Sequence, residues 1–136
     1  MKILSWDCRG LRSPQAVRAL LRLTHIENPQ IVFLMETRLK ATEFESIRIK
    51  MGFKNCLSVD CKGTGRERAR GLSLMWMEHI HIVINSYSLN HIHGMCDDEE
   101  SGVPWGLSCI YGFLEEQHKR KTWLLINSLA RQVTGK

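Results

Sequence analysis

The chain has 136 residues, of which 43% are hydrophobic and 24% charged, and its formal net charge is +5. This composition is typical of a globular domain and excludes a wholly disordered or low-complexity chain, and no apolar run reaches the ~20 residues of a membrane span. The first residues are interrupted by Asp7 and Arg9, so they do not form a signal peptide. We therefore expect one domain over residues 1–136, in the nucleus or the cytoplasm.

The first predicted elements are a strand, a helix and a strand. Residues 2–8 form the first strand. A helix begins at Ser13-Pro14, because serine is a favourable N-cap and proline is favoured at the first helical position, and it stops at Asn28-Pro29. Residues 31–35 are almost wholly apolar, as in a strand that is covered on both faces. This order predicts a βαβ unit with parallel strands and a right-handed crossover.

The remaining elements are mainly antiparallel strands. Strands over residues 71–76 and 80–87 are expected to pair with each other across a tight turn, with both faces of residues 80–84 covered. The other predicted elements are helices over 42–51 and 117–133, strands over 53–59, 89–95 and 105–111, a polar loop over 60–70 and an acidic loop over 97–102. Together they predict an α/β fold in which a mixed β-sheet carries its helices on one face.

The cysteines, the histidines and the net charge indicate which ligands and partners the chain can have. Five cysteines without a C-x-x-C pair indicate reduced, mostly buried thiols. Two His-x-His pairs, at residues 79–81 and 91–93, can contribute zinc ligands, but no sequence signature supplies a complete set of four. The excess of Lys and Arg favours a polyanionic partner such as DNA or RNA, and a basic protein without any nucleic-acid role would carry the same charge.

The ends of the first two strands carry the residues that are most suited to chemistry. The first strand ends in Asp7, and the second is followed by Glu36. Open α/β sheets place their sites at the carboxyl ends of their strands. Two carboxylates that adjacent strands bring together can hold a hard cation such as Mg²⁺, although such a pair binds it weakly without substrate phosphates.

The motifs at these strand ends resemble a known family. Residues 4–11 read Leu-Ser-Trp-Asp-Cys-Arg-Gly-Leu, and residues 36–38 read Glu-Thr-Arg. The later stretches Gly-Leu-Ser-Leu-Met-Trp (71–76) and Cys-Ile-Tyr-Gly-Phe (109–113) follow in the order that the family has. The chain thus resembles the endonuclease/exonuclease/phosphatase superfamily along its whole length, and most of all the endonuclease domain of plant LINE-type retrotransposons.

The resemblance implies a four-layer α/β sandwich and a Mg²⁺-dependent DNA phosphodiesterase, with Asp7, Glu36 and Tyr111 as catalytic positions. Glu36 matches the metal-binding glutamate of the family; the alternative is a surface glutamate paired with Arg38 or Lys40. Tyr111 matches a tyrosine that contacts the scissile phosphate; the alternative is a core tyrosine. Asp7 stands where the family has an asparagine, so that it adds negative charge and removes two hydrogen-bond donors.

Two further motifs of the family, Gly-Asp-Phe-Asn and Ser-Asp-His, do not occur in the chain. The resemblance therefore implies the N-terminal half of such a domain, a truncated domain over residues 1–136. We expect it to be inactive alone and to retain nucleic-acid or protein binding. The alternative is an active metal-dependent endonuclease that a second chain completes.

A glycine-containing basic loop over residues 62–70 is the main candidate for nucleic-acid binding. Its cations Lys62, Arg66, Arg68 and Arg70, together with Arg9, can contact phosphates. Arg70 stands where relatives commonly have a second glycine before the next strand. The alternative is a mobile, solvated turn, and binding through charge alone is expected to be weak, nonspecific and sensitive to salt.

The resemblance also leads us to expect self-association. In the family a second sheet covers the inner face of the first, and the residues that build it would lie beyond Lys136. An uncovered apolar face is rare in monomers, so we expect a homodimer or another protein partner. The alternative is that the predicted helix over residues 117–133 covers this face.

Overall fold

The computed structural model describes residues 2–98 and 103–111, and this part of the chain contains two helices and seven strands. The elements are β1 (Ile3–Asp7), α1 (Pro14–Glu27), β2 (Ile31–Met35), α2 (Ala41–Met51), β3 (Asn55–Val59), β4 (Leu72–Trp76), β5 (Ile80–Tyr87), β6 (His91–Asp98) and β7 (Trp105–Ile110), with a short 3₁₀ turn at Gly65–Glu67. The chain divides into two compact units, Met1–Ile80 and His81–Lys136. The predicted helix over residues 117–133 lies outside the described residues.

The predicted βαβ unit is confirmed. The Ser13 hydroxyl oxygen accepts a hydrogen bond from the Ala16 backbone N–H at 3.1 Å, which caps the start of α1. Asn28 ends this helix in the left-handed conformation, at φ 48°. β1 and β2 are parallel neighbours with Ile3 opposite Ile31, so that the carboxyl ends of both strands meet at one edge of the sheet.

The first unit contains a four-stranded sheet in the order β1-β2-β4-β3. β4 lies between β2 and β3 and is antiparallel to both. The predicted pairing of residues 71–76 with 80–87 is therefore wrong. All five residues of β4 are buried, and β2 and β3 already occupy its two edges, which leaves no edge for β5.

Both faces of this sheet are buried. On one face, Val32, Leu34 and Met75 pack with α1 and α2 in a core that includes Leu20 and Phe44. On the other face the apolar side chains of the two central strands are also shielded from solvent, each 3% exposed or less: Ile31, Phe33, Leu72 and Leu74. The homodimer that the resemblance led us to expect stays a prediction.

The second unit contains a three-stranded sheet in the order β5-β6-β7. β6 and β7 are antiparallel, with His91 opposite Ile110 and Cys96 opposite Trp105. The expectation that both faces of residues 80–84 are covered is wrong, since β5 alternates between sheltered and exposed residues and Val83 is 66% exposed. The predicted acidic loop is also wrong at its start, because β6 extends to Asp98.

The predicted α/β class is confirmed, with the strands divided between two sheets. All five cysteines are reduced thiols, and four of them are buried. Among the described residues, no helix combines the length and the apolar character that a bilayer span requires.

Candidate functional site

Left-handed backbone conformations are concentrated where β1 and β2 end and β4 begins. Positive φ angles occur at Arg9 (50°), Glu36 (53°), Arg38 (57°) and Arg70 (70°). These conformations are uncommon outside glycine and cost on the order of 1–3 kcal/mol each. Strain of this kind is tolerated only where the surrounding contacts hold the backbone in place, and it is often found at functional sites.

Backbone hydrogen bonds beyond the strands hold these three segments together. The Gly10 N–H donates to the Glu36 carbonyl at 2.7 Å, and the Arg38 N–H donates to the Arg70 carbonyl at 2.9 Å. The Thr37 N–H donates to the Gly71 carbonyl at 3.1 Å. The segments that follow β1 and β2 and the segment that precedes β4 therefore form one rigid edge.

Gly71 allows this close approach. Its φ is +98°, and a Cβ at this position would overlap the Thr37 hydroxyl oxygen and crowd the Arg38 backbone nitrogen. Arg70 also has a positive φ, of 70°, which is a conformation that glycine adopts more readily than arginine.

Glu36 is buried at this edge and both of its carboxylate oxygens are engaged. Its side chain is 11% exposed. One oxygen, Oε1, accepts a hydrogen bond from the Arg70 backbone N–H, and the other, Oε2, accepts one from Arg38 Nε, both at 3.1 Å. The alternative interpretation was a surface glutamate paired with Arg38 or Lys40. Glu36 does pair with Arg38, but it is buried.

Asp7 ends β1 directly opposite Met35, the residue before Glu36. Its side chain is exposed, and Oδ1 accepts a hydrogen bond from the Arg9 backbone N–H at 3.3 Å. Within residues 2–98 and 103–111, no group of three or more His, Cys, Asp or Glu side chains is arranged to hold a metal ion. Asp7 and Glu36 offer oxygens that suit Mg²⁺, but the Arg38 cation already pairs with Glu36, so these residues fit the ion only as an incomplete and weak site.

Tyr111 follows β7 in the second unit. Its side chain is half-buried, and its backbone N–H donates to the Asn90 carbonyl at 2.7 Å. The nearby histidines are engaged within the same unit. His91 contacts the Ser88 hydroxyl through Nδ1 at 2.6 Å, and His93 Nδ1 lies 2.8 Å from the Ser108 hydroxyl. Burial, with a smaller contribution from His93, lowers the pKa of His91.

A cavity of about 260 Å³ opens beside Glu36 in the first unit, and we call it the arginine pocket. Five arginines contribute to its lining, and no acidic side chain does. The residues that line it are Arg9, Gly10, Arg12, Ser13, Arg38, Gly65, Arg66 and Arg68. They come from three segments: the β1–α1 connection, the residues after β2, and the β3–β4 loop.

The arginine pocket contains only some of the predicted nucleic-acid-binding residues. It brings Arg9, Arg66 and Arg68 together, whereas Lys62 and Arg70 do not line it. Sequence reasoning missed Arg12 and Arg38 as members of this group. The signal that could have found them is their position, because both follow the carboxyl ends of the two parallel strands.

The side chains of two pocket arginines connect the loops that form it. Arg12 Nη1 donates to the Gly65 carbonyl at 3.3 Å, and Arg68 Nη1 donates to the Arg38 carbonyl at 3.3 Å. Arg68 Nη1 also donates to Glu43 Oε1 at 2.7 Å. A backbone hydrogen bond from Lys40 and then the Arg68 guanidinium lower the pKa of Glu43, and Glu43 in turn raises the pKa of Arg68.

No protein-family model and no curated protein matches this chain. Solved structures do match it in fold. An endonuclease/exonuclease/phosphatase family protein from Bacteroides thetaiotaomicron aligns with a TM-score of 0.71 and 9% identity, covering 100% of this chain and 58% of the other. The catalytic domain of Xenopus laevis APE2 aligns with a TM-score of 0.71 and 12% identity, covering 99% of this chain and 55% of the other.

The endonuclease domain of TRAS1, a telomere-specific non-LTR retrotransposon, aligns with a TM-score of 0.65 and 12% identity, covering 96% of this chain and 54% of the other. At such low identity these likenesses show the fold alone. The described chain has the mixed α/β fold of endonuclease/exonuclease/phosphatase structures, and it spans a little over half of their length.

Proposed function

We propose that this chain binds nucleic acid at the edge formed by the ends of β1 and β2, and that it does not cleave phosphodiester bonds by itself. The arginine pocket is the observation that carries this proposal. Five guanidinium groups around one cavity form a site for a polyanion, because guanidinium matches phosphate oxygens in geometry as well as in charge.

The proposed lack of cleavage follows from the acidic residues at the same edge. Glu36 accepts hydrogen bonds from Arg38 and from the Arg70 amide through both oxygens. Asp7 has no hydrogen-bond donor to offer a phosphate when it is ionised. The Gly-Asp-Phe-Asn and Ser-Asp-His motifs are absent from the sequence, and catalytic groups that act as a unit lose nearly all of their effect when one member is missing.

The origin and the setting of the protein are part of the same proposal. The strand-end motifs at residues 4–11 and 36–38 support descent from a LINE-type retrotransposon endonuclease of plants, and the likeness in fold to the TRAS1 endonuclease domain agrees with such a descent. Buried thiols suit a reducing compartment, so we propose a nuclear or cytoplasmic location. Mg²⁺ would be held weakly by Asp7 and Glu36, and phosphate oxygens of a bound strand would add the ligands that these two side chains lack.

Two measurements on the same preparation test the proposal. Fluorescence anisotropy with a short DNA should detect binding that weakens steeply between about 50 and 200 mM salt, as phosphate contacts require. Incubation of plasmid DNA with Mg²⁺ or Mn²⁺ should give no more nicking than the Glu36→Ala variant does. Glu36-dependent nicking by less than one protein per plasmid would instead favour an active endonuclease, and dependence of that nicking on an added chain would identify the partner that completes it.

Association with a second copy of the chain, or with another protein, is a further part of the proposal. Its support is the resemblance, which implies a second sheet on the inner face of the first. Light scattering at micromolar concentration measures the mass directly. A stable dimer would support self-association, and a monodisperse monomer would contradict it.

A further inference from the structure

We infer that the arginine pocket binds the terminal phosphate of a nucleic-acid strand, in preference to a phosphodiester within the strand. This inference rests on the proposed nucleic-acid binding and specifies which group of the ligand the site recognises. It is carried by the balance of charge in the pocket, by a buried donor without an acceptor, and by the position of the pocket at the start of α1.

The balance of charge favours a dianion. Two of the five guanidiniums are paired with carboxylates, Arg38 with Glu36 and Arg68 with Glu43. The remaining three guanidiniums belong to Arg9, Arg12 and Arg66. A terminal phosphate carries close to two negative charges at neutral pH and three acceptor oxygens. An internal phosphodiester carries one negative charge, so it would offset less of the excess positive charge.

Donors remain available for such a ligand. Within the described part of the chain, the guanidinium groups of Arg9 and Arg66 make no hydrogen bond or ion pair with protein atoms. The Nε atom of Arg68 is buried and has no hydrogen-bond partner among the described residues. A buried donor without an acceptor is unfavourable, and a phosphate oxygen in the pocket would satisfy it.

The local backbone adds to the positive potential. Ser13, the N-cap of the 14-residue helix α1, lines the pocket, and the first turn of α1 contains no acidic residue. The amino end of a helix carries partial positive charge and favours anions. The ion pair with Glu36 holds the Arg38 guanidinium at the pocket wall.

The experiment compares three forms of one ten-nucleotide DNA: with a 5′-phosphate, with a 3′-phosphate, and with hydroxyl groups at both ends. Inorganic phosphate is the fourth ligand. The test variant is Arg9→Ala combined with Arg66→Ala, because the contacts between the described loops come from Arg12 and Arg68 instead. The matched control, Arg18→Ala with Arg22→Ala, removes the same charge from the exposed surface of α1.

We expect one phosphorylated form to bind about tenfold more tightly than the hydroxyl form, a preference that the test variant loses and the control keeps. Equal binding of all three DNA forms would overturn the inference and leave the proposed nucleic-acid binding intact. Absence of binding to every form at low salt would overturn the proposed function itself. If inorganic phosphate bound as tightly as the phosphorylated strand, the pocket would be a site for the free anion and recognition of strand ends would be refuted.

Discussion

Replacement of Glu36 tests whether its carboxylate stabilises the edge of the sheet through hydrogen bonds or serves as a ligand for a metal ion. Glu36→Ala removes the acceptor of two hydrogen bonds, from the Arg70 amide and from Arg38 Nε. Glu36→Gln keeps one acceptor oxygen and removes the charge. Alanine retains a Cβ, so the strain at φ 53° stays the same, and the change in stability reports on the lost contacts.

The expected loss of stability depends on how exposed each hydrogen-bond partner of Glu36 is. Loss of a partner for the Arg70 amide leaves a partly buried donor without an acceptor, at a cost of about 1–3 kcal/mol. The Arg38 side chain is 43% exposed, so water can replace part of its contact and the ion pair contributes only about 1 kcal/mol. We therefore expect Glu36→Ala to lower the free energy of unfolding by about 2–4 kcal/mol and Glu36→Gln by about 1–2 kcal/mol.

Urea denaturation followed by circular dichroism, in buffer with EDTA, measures these differences. A loss of 2–4 kcal/mol corresponds to a melting temperature lower by about 8–16 °C for a chain of this size. Glu78→Gln is the matched control. The Lys54–Glu78 pair has the same 3.1 Å separation between nitrogen and oxygen, but both side chains are at least 70% exposed, so its loss should change stability by less than about 0.5 kcal/mol.

The result that would refute the reasoning is a Glu36→Gln protein as stable as the wild type, or more stable, in the absence of metal. Such a result would mean that the buried carboxylate lowers the free energy of unfolding when no metal is bound, as expected for a metal ligand. Addition of Mg²⁺ would then stabilise the wild type and not the variant, because an ion that binds only the folded state raises stability in proportion to its occupancy.

Two further predictions concern Gly71 and the buried thiols. Gly71→Ala should destabilise the protein by several kcal/mol more than Gly52→Ala, since both glycines have positive φ but only Gly71 has protein atoms where the Cβ would be; equal melting temperatures would contradict this. Burial raises the pKa of Cys8, with a smaller contribution from the Asp7 charge, and burial alone raises that of Cys109, in both cases to about 12. The folded thiols thus keep protons that the unfolded ones lose above pH 9, so stability should fall as pH rises from about 9 to 12, by about 1.4 kcal/mol per pH unit for each thiol. Alkylation at pH 7.5 followed by mass spectrometry should find both thiols slow to react until urea is added, and rapid modification of native Cys8 would show that it is not buried.

The βαβ unit could be predicted from the sequence because its signals are local. The capping serine, the proline at the first helical position and two apolar runs act within a few residues of the elements that they define. The pairing of β4 could not be predicted in this way. The short connection between β4 and β5 resembles a hairpin, but β4 is apolar along its whole length and is buried between β2 and β3. In β5, burial alternates from residue to residue, but the sequence does not show this because Val83 is an apolar residue on the exposed face.

The candidate site shows the same division between local and distant signals. Glu36 and Asp7 were found because each ends an apolar strand, and parallel pairing then brings those ends together. The arginine pocket depends on contacts between segments far apart in the sequence, such as the Arg12 hydrogen bond to the Gly65 carbonyl across 53 positions. No periodicity or short motif encodes such a contact, so Arg12 and Arg38 were missed as members of the group.

Arg38 connects the two parts of this edge. Its Nε donates to Glu36, while its side chain lines the arginine pocket and its carbonyl accepts a hydrogen bond from Arg68. A guanidinium has five N–H donors, so one bond to Glu36 leaves others for a phosphate. The carboxylate that would attract a metal ion thereby positions a cation for an anionic ligand. We therefore propose that Glu36 supports phosphate binding through its contact with Arg38, a role that would require neither a metal ion nor cleavage.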